Sequence, residues 1–338
     1  MKTYAGIDLH SSNNFIGVID AKDKRLYSKR HHNLMPDILK ALGKFKATLQ
    51  GVVVESTYNW YWLVDGLMDH GFRVHLANPS AIKTYEGLKH TDDKWDSFWL
   101  AHLLRLGILP QGYIYPKQQR PVRDLLRRRQ LYVRQRTSHL LSLQSMITRN
   151  RGLNFDGSQI KRFRDDFIKK MFDCPNLVFT AQKQLATIRF LDQQINDIEA
   201  LVRPQIRLKP AFEKLLSIPG IGDILGLTIM SEVGDIKRFA KAGNYSSYCR
   251  CVSSEKISNG KKKGENNKKN GNRYLSWAYV EAANFCIRNC PEAKRFYQRK
   301  LAKTKKVVAI KALCNKLAKA SYYILKDQVP FDAKKLFR

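Results

Sequence analysis

The chain has 338 residues, with 61 Lys or Arg and 29 Asp or Glu, and a formal net charge of +32. The hydrophobic fraction of 43% excludes a basic disordered tail, and the sequence contains no run of about 18 apolar residues that would predict a membrane span. The opening sequence MKTYAGIDLH is not that of a signal peptide. We therefore expect a folded, cytoplasmic protein of more than one domain, without a membrane partner.

The charge is unevenly distributed along the chain. Residues 1–110 carry 14 basic and 11 acidic side chains, whereas the remainder carries 47 basic and 18 acidic ones. Nucleic acid is the commonest partner for so large a positive charge. This distribution favours a compact acidic site in the first part and a polyanion-binding surface in the second.

The first 80 residues predict an α/β layout with a mixed sheet, because short apolar runs alternate with helical spacing. A tight turn at 21–24 predicts that the second and third strands form a hairpin. The predicted strands span 3–9, 14–20, 26–30, 51–55 and 72–77, and the predicted helices 36–45 and 59–70.

Four carboxylates follow this layout in a suggestive order. Asp8 lies inside the first strand and Glu55 ends the fourth, both after apolar residues, where an unpartnered carboxylate is costly. Asp93 and Asp96 share one face at the start of an apolar helix. Together the four predict a site for Mg²⁺, which prefers oxygen ligands, and two such ions about 4 Å apart serve phosphoryl transfer.

Simpler interpretations of the same acids stay open. Asp92, Asp93 and Asp96 would also suit the first turn of a helix as capping residues. Asp8 would suit a strand-end turn, and Glu55 an exposed surface. The joint order and spacing of the acids favour the metal site.

An arginine-rich helix is predicted over 116–150, and a second long helix over 181–202. Two such helices would pair as a coiled-coil-like hairpin. A plain helical spacer is the alternative, but the arginine density favours contact with DNA or structured RNA. The arginines assigned to this surface are Arg120, Arg123, Arg127 and Arg128.

Two further segments favour nucleic-acid binding. The sequence Pro219-Gly220-Ile221-Gly222 joins two apolar helical stretches and resembles a helix-hairpin-helix, in which Pro219, Gly220 and Gly222 would let the backbone approach a phosphate. A simple tight turn is the alternative. Segment 246–273 is rich in Lys, Gly and Asn, and we expect it to be mobile until a polyanion orders it. Its assigned phosphate contacts are Lys261, Lys262, Lys263, Lys268, Lys269 and Arg273.

Ser258 is the candidate nucleophile of this lysine-rich segment. It precedes Asn259-Gly260 and a basic run that would surround an attacked phosphate. No histidine follows His139, so folding must supply a base, or the acidic site must activate the hydroxyl. A plain loop serine is the alternative.

Three blocks of the first 101 residues resemble a known family. The sequences GID at 6–8, VVVEST at 52–57 and TDDKWDSFWLA at 91–101 are similar to the DEDD motifs of the insertion-sequence 110 family of transposases, which includes the Piv pilin-gene invertases. A first-strand Asp, a fourth-strand Glu and a late helix with paired Asp residues also characterise the RNase H-like, RuvC-like fold.

The third DEDD block contains one acid more than the family motif. Asp92 or Asp93 could therefore be the third ligand, and we choose Asp93 because it keeps the three-residue step to Asp96. Ser97 stands where the family usually has alanine.

The resemblance extends through the second part of the chain. Residues 269–272 match the family's K-x-G-N segment, and counting back from it places Ser258 at the nucleophile position. The segment Arg250-Cys251-Val252-Ser253 replaces the usual G-L-x-P, and Asn259 replaces the glycine after the serine. Ser253 and Ser254 are therefore rival candidates.

The resemblance implies a fold and a reaction. It implies a RuvC-like domain at 1–110, a coiled-coil helical segment at 111–208 and a mainly helical domain with the helix-hairpin-helix and nucleophile loop at 209–338. It implies Mg²⁺ at the four acids and a covalent phosphoserine link formed by Ser258, within reach of the acids in the same or a neighbouring subunit.

The implied partners are donor DNA, target DNA and a guide RNA encoded by the element, in a homotetramer arranged as a dimer of dimers. Two alternatives are a metal-dependent nuclease or junction resolvase that lacks serine chemistry, and a non-enzymatic basic scaffold on nucleic acid.

Overall fold

The computed structural model describes residues 1–82, 92–206, 210–265 and 270–337. The chain divides into two compact units, Met1–Lys117 and Gln118–Arg338. The division into three domains, with limits at residues 110 and 208, stays a prediction.

The first unit is built on one mixed five-stranded sheet, as predicted. Its strand order is β3-β2-β1-β4-β5, with β1, β2 and β3 antiparallel and with β4 and β5 parallel to β1. The elements are β1 (Thr3–Leu9), β2 (Asn13–Asp20), β3 (Arg25–His32), α1 (Met35–Gly43), β4 (Leu49–Glu55), α2 (Tyr61–Asp69), β5 (Val74–Ala77) and α3 (Asp93–Arg105).

Successive residues of β1 and β4 point to opposite faces of the sheet, and both faces are buried. Ile7 and Val54 belong to the buried cluster that the sheet forms with α1 and α2. Val53 packs on the other side, with Leu100 and Leu103 of α3. Asp8 follows Ile7 and Glu55 follows Val54, and so both point towards the opposite face of the sheet, which α3 covers.

Helix α3 lies directly on the backbone of β1. A side chain built at Gly6 would place its Cβ 2.0 Å from the carbonyl oxygen of Ser97 and 2.9 Å from the amide nitrogen of Ala101. Ser97 is fully buried, and its hydroxyl donates to the carbonyl oxygen of Lys94 at 2.8 Å. The serine is therefore accommodated because its polar group bonds within its own helix.

The second unit is mainly helical, as predicted. Its described residues also include a short hairpin of two strands, β6 and β7. Within the described ranges, none of the helices combines the length and the apolar composition that a membrane span requires. The elements are α4 (Arg120–Arg151), α5 (Gly157–Lys161), α6 (Asp165–Met171), α7 (Pro175–Ile206), α8 (Pro210–Leu216), α9 (Asp223–Val233), α10 (Ala242–Tyr248), β6 (Lys256–Ser258), β7 (Lys261–Gly264), α11 (Arg273–Asn289), α12 (Pro291–Leu301), α13 (Lys306–Asp327) and α14 (Ala333–Phe337).

The two long helices α4 and α7 pack against each other. Leu143 of α4 and Leu185 of α7 share one buried cluster with α5 and α6. Arg129 of α4 also pairs with Glu199 of α7 at 2.8 Å. The predicted pairing of two long helices is present, whereas a coiled coil stays a prediction.

A buried carboxylate joins three elements of the second unit. Glu232 of α9 is 1% exposed and accepts two hydrogen bonds from the guanidinium of Arg127 on α4, at 2.6 and 2.8 Å. It also accepts a hydrogen bond from the Asn272 side chain at 2.7 Å. Asn272 caps α11, because its side-chain oxygen Oδ1 accepts hydrogen bonds from the backbone amides of Tyr274 and Leu275.

Replacing Gly6 should weaken the first unit. The substitution Gly6→Ala forces a methyl group against the backbone of α3, and overpacking of this kind costs about 1–3 kcal/mol of unfolding free energy. We expect the upper part of that range, measured by urea unfolding. Gly43→Ala is the matched control, because a Cβ at Gly43 would meet no atom within 4 Å. An equal loss in both variants would contradict the close packing of α3.

Removing the buried carboxylate should weaken the second unit. Glu232→Ala leaves Arg127 and Asn272 without their acceptor, and breaking a buried ion pair costs about 3–5 kcal/mol. We expect about 3 kcal/mol, because the Arg127 side chain is 31% exposed. Urea unfolding measures the change, with the exposed Glu213→Ala on α8 as control. A loss no larger than that of the control would show that the pair is dispensable.

Candidate active site

The strand register brings Asp8 and Glu55 together. Ile7 of β1 pairs with Val54 of the parallel strand β4, so the next residues, Asp8 and Glu55, are neighbours on one face. A side-chain hydrogen bond joins the two carboxyl groups. Both lie under the start of α3.

Burial and mutual repulsion disturb the ionisation of these acids. Burial raises the pKa of Asp8, which is 4% exposed, above its usual range, and the nearby charge of Asp93 adds to this. Burial, the hydrogen bond and the charge of Asp8 raise the pKa of Glu55 to about 7. Burial and the charges of Asp8 and Asp93 also raise the pKa of Asp96. Three carboxyl groups are therefore held where their charged forms are costly.

In the first turn of α3, Asp92 and Asp93, the two candidates for the third acid, have different contacts. Asp92 is the N-cap, and its side chain accepts a hydrogen bond from the backbone amide of Trp95 at 2.7 Å. Asp93 turns towards the sheet, where its carboxylate lies 3.2 Å from His10 and 2.6 Å from Arg30. Asp93 thus joins Asp8 around His10, and Asp92 serves as the helix cap.

His10 and Arg30 belong to this site but were not predicted from the sequence. The imidazole Nε2 of His10 lies 3.1 Å from Asp8 and 3.2 Å from Asp93. Arg30 of β3 pairs with Phe15, which in turn pairs with Asp8, so the three residues form one row across the sheet. The spacing of two residues from Asp8 to His10 was a usable signal, whereas the position of Arg30 depends on the register.

The arrangement suits a divalent cation. One ligand atom from each of Asp8, His10 and Asp93 lies within 4.8 Å of the others. Glu55 and Asp96 add two more carboxyl groups, whose pKa values are raised first by burial and then by crowding of negative charge. A hard cation would relieve this crowding, and carboxylate oxygens are the ligands such ions prefer. The donor set therefore fits a metal.

The arginines predicted to face nucleic acid are placed differently from the prediction. Arg120 and Arg123 are buried, with 4% and 3% exposure, and are not on the solvent-facing side of α4. Arg127 is engaged in the ion pair with Glu232. Arg128 is exposed, and its phosphate contact stays a prediction. The density of arginine did not reveal which side of the helix is buried.

The proline-glycine turn joins α8 to α9. Gly220 has a left-handed backbone with φ +98°, and a Cβ there would lie 2.5 Å from the carbonyl oxygen of Ala282 on α11. This glycine is therefore required for packing. Gly222, with nothing within 4 Å of a built Cβ, precedes α9, and Pro219 is half-buried. A helix-hairpin-helix that binds DNA stays a prediction.

Ser258 lies at the tip of the β6–β7 hairpin. Asn259 and Gly260 have φ values of +49° and +68°, the left-handed pair of a two-residue hairpin turn. This part of the segment therefore forms a hairpin, for which Asn-Gly is a strong sequence signal, and its mobility without a polyanion stays a prediction. Ser258 and its strand partner Lys261 are exposed.

The other predicted residues of this segment are placed as follows. Ser253 is exposed and Ser254 half-buried, both before β6. Lys261, Lys262, Lys263 and Arg273 are exposed. Lys268 and Lys269 lie outside the described residues.

The end of the K-x-G-N segment anchors the hairpin to the helical body. Gly271 has φ +89°, and a Cβ there would lie 2.5 Å from the carbonyl oxygen of Tyr248. The backbone amide of Asn272 donates to that oxygen at 2.6 Å. The Arg250 guanidinium donates to the carbonyl oxygen of Gly271 at 2.9 Å. This part of the motif therefore closes the segment that carries Ser258.

Comparison with known proteins adds the family. Residues 5–150 match a family of DEDD transposases of the IS110 type, described as "Transposase". Residues 212–298 match the "Transposase IS116/IS110/IS902 family".

Two curated relatives carry similar descriptions. The chain is 22% identical over 277 residues to a "Probable family 20 transposase" of Pseudomonas aeruginosa, covering 78% of this chain and 80% of the relative. It is 27% identical over 120 residues to the "Insertion element IS110 uncharacterized 43.6 kDa protein" of Streptomyces coelicolor, covering 36% of this chain and 30% of the relative's length. Because the family matches cover both units and the first of them spans the acidic site, the chain belongs to the IS116/IS110/IS902 family of transposases, enzymes of DNA transposition.

Proposed function

We propose that this chain is a DNA transposase that cuts and rejoins DNA through a phosphoserine intermediate, with carboxylate-bound Mg²⁺ assisting. The observation that carries the proposal is the convergence of Asp8, Glu55, Asp93 and Asp96 on one face of the sheet, with repulsion among them. Isolated surface acids would not show the raised pKa values of this cluster.

The fold of the first unit supports an RNase H-like, RuvC-like assignment. Three antiparallel strands are followed by two strands parallel to the first, and the acids lie on β1, on β4 and on a later helix. This is the arrangement that the resemblance to the DEDD motifs implies.

Mg²⁺ would be held by the carboxylates of Asp8, Glu55, Asp93 and Asp96. A bound divalent ion supplies charge stabilisation to a phosphodiester under attack. The protein's own residues prepare this site: Asp92 caps the first turn of α3, Arg30 balances part of the negative charge, and the His10 imidazole lies 3.2 Å from Asp93.

Ser258 is proposed to attack the scissile phosphodiester. Its Oγ forms a bond to phosphorus, and the bond from phosphorus to one bridging sugar oxygen breaks. The serine proton passes to a carboxylate base, and the released sugar oxygen takes up a proton. The hydroxyl of a second DNA end then attacks the phosphoserine, which reverses the step and rejoins the strands. The phosphoserine link conserves the energy of the broken phosphodiester bond, so rejoining needs no outside energy source. Lys261, the strand partner of Ser258, provides an exposed cation next to this serine.

The proposed partners are donor DNA, target DNA and a guide RNA, bound by a homotetramer that is a dimer of dimers. The net charge of +32 supports contact with long polyanions. The residues proposed to contact phosphates are Arg128, Pro219, Gly220, Gly222, Lys261, Lys262, Lys263, Lys268, Lys269 and Arg273.

Divalent metal should stabilise the folded protein. At about 100 times its dissociation constant, a ligand adds about 2.7 kcal/mol to the unfolding free energy, so Mg²⁺ or Mn²⁺ should raise the melting temperature by several degrees. Asp8→Asn should abolish this response while leaving the metal-free protein at least as stable, because it removes charge repulsion. The exposed Asp69→Asn should respond like the wild type. A normal metal response in Asp8→Asn would contradict the site.

The metal response should depend on pH. The pKa of Glu55 is raised from 4.5 to about 7, so the folded protein holds this proton more tightly than the unfolded chain. Without metal, stability should therefore fall as pH rises from about 4.5 to about 7. Metal competes with the proton, so its stabilising effect should increase over the same interval. Melting curves at pH 5.5 and 8, with and without Mn²⁺, test this, and Glu55→Gln should flatten both trends.

Ser258 should form the covalent link. Purified protein with Mg²⁺, DNA spanning the ends of its element and RNA transcribed from the flanking DNA should give a protein–DNA adduct that survives denaturation. Mass spectrometry should find the modified residue at Ser258. Ser258→Ala should give no adduct and no recombinant product, while retaining the metal response.

The rival serines and rival functions give different results. Ser253→Ala and Ser254→Ala are matched controls that should still form the adduct; loss in either one alone would move the nucleophile there. Cleavage that persists in Ser258→Ala would indicate a metal-dependent nuclease or junction resolvase. Unchanged activity in Asp8→Asn and Glu55→Gln would indicate a basic scaffold.

A further inference from the structure

The first unit has a second notable feature, a groove of about 650 Å³ between strand β3 and helix α1. We call it the β3–α1 groove. Its walls are formed mainly by basic and polar side chains. The lining residues that the argument uses are Tyr27, Lys29, Arg30, His31, Lys40 and Lys44.

The groove is positively charged although the first unit is nearly neutral. Lys29, Lys40 and Lys44 are exposed, and none of the three has a carboxylate within ion-pair distance among the described residues. Asp37 is the acid that lines the groove. The three ammonium groups outnumber the single lining carboxylate, so the groove carries net positive charge and would attract an anion.

The shape of the groove suits an extended chain. Strand β3 is the last strand of the sheet, so its outer backbone groups have no strand partner within the described ranges. Tyr27 and His31 line the groove, and their rings stack on each other with centroids 6.0 Å apart and an interplanar angle of 13°. Aromatic surfaces beside a basic track are the features that bind single-stranded nucleic acid.

Arg30 connects the groove to the acidic site. It lines the groove and also donates to the Asp93 carboxylate at 2.6 Å. The groove lies on the α1 side of the sheet and the acids lie on the α3 side, so the two meet at Arg30 on the edge strand β3. A DNA strand with one phosphate at the acids could place its neighbouring phosphates in the groove.

We propose that the β3–α1 groove binds the phosphodiester backbone of the DNA strand next to the phosphate that is cut. The identity of the strand rests on the proposed function of the acidic site. Lys29, Lys40 and Lys44 contact successive phosphates, and Arg30 lies at the boundary between groove and site.

Salt dependence of binding tests the groove without any chemistry. Full-length Ser258→Ala protein binds a fluorescein-labelled single-stranded DNA oligonucleotide in EDTA at several salt concentrations. Each phosphate contact contributes about 0.7 to the slope of log affinity against log salt for single strands. The triple variant Lys29→Gln, Lys40→Gln, Lys44→Gln should therefore lower the slope by about 2.

The matched control removes the same charge elsewhere in the first unit. Lys2→Gln, Lys22→Gln, Lys24→Gln changes three exposed lysines outside the groove and should leave the slope nearly unchanged. Circular dichroism confirms that both variants are folded. Equal slopes in the two triple variants overturn the proposal. Aggregation of the groove variant with an unchanged slope in its monomeric fraction also overturns it, and assigns these lysines to protection of the edge strand.

Photocrosslinking distinguishes DNA from RNA. In the assembly that forms the adduct, 4-thiothymidine is placed in the DNA beside the cut, or 4-thiouridine in the RNA. DNA should crosslink to the peptide spanning 27–44; crosslinking of this peptide from RNA alone overturns the assignment to DNA. If no adduct forms but the groove variant lowers the slope, the proposed reaction fails while nucleic-acid binding by the groove stands.

Discussion

The acidic site depends on how closely helix α3 lies on strand β1. The backbones meet at Gly6, where even a methyl group would fall 2.0 Å from the carbonyl oxygen of Ser97. This contact fixes the height of the helix above the sheet, and so it determines whether Asp93 and Asp96 reach Asp8. A bulkier residue two positions before Asp8 would raise the helix and separate the acids. The lack of a side chain at Gly6 therefore controls the positions of the charged groups on α3 relative to Asp8.

The acids could be predicted from sequence because each lies at a position that local pattern defines. Asp8 and Glu55 follow apolar strand residues, and the step from Asp93 to Asp96 is one helical turn. Arg30 could not be predicted, because its position depends on pairing across two strand interfaces. Local periodicity gives the face on which a residue lies, whereas register decides its neighbours.

The second unit shows the same division between local and tertiary information. The long helices were predictable from apolar spacing, but Arg120, Arg123 and Arg127 were assigned to a nucleic-acid surface because they are cations. Two of them are buried and the third pairs with Glu232, more than a hundred residues later in the chain. Charge density along a helix does not specify which cations meet acids from other elements. The hairpin at Asn259-Gly260, by contrast, was encoded locally and was missed.

The acidic site also illustrates a balance between folding and metal binding. Four carboxylates without compensation would oppose folding, because burial and repulsion penalise their charges. Strong pairing of each acid with arginine would remove that penalty but would leave no free oxygen for a cation. The protein has an intermediate arrangement: His10 and Arg30 contact Asp93, and a side-chain hydrogen bond joins Glu55 to Asp8. A proton held between two carboxyl groups is a partner that a divalent ion can displace, because the ion competes for the same oxygens. The raised pKa values of Asp8, Glu55 and Asp96 are those of buried carboxyl groups that repel one another, and the divalent ion that we propose would offset this cost by binding their oxygens.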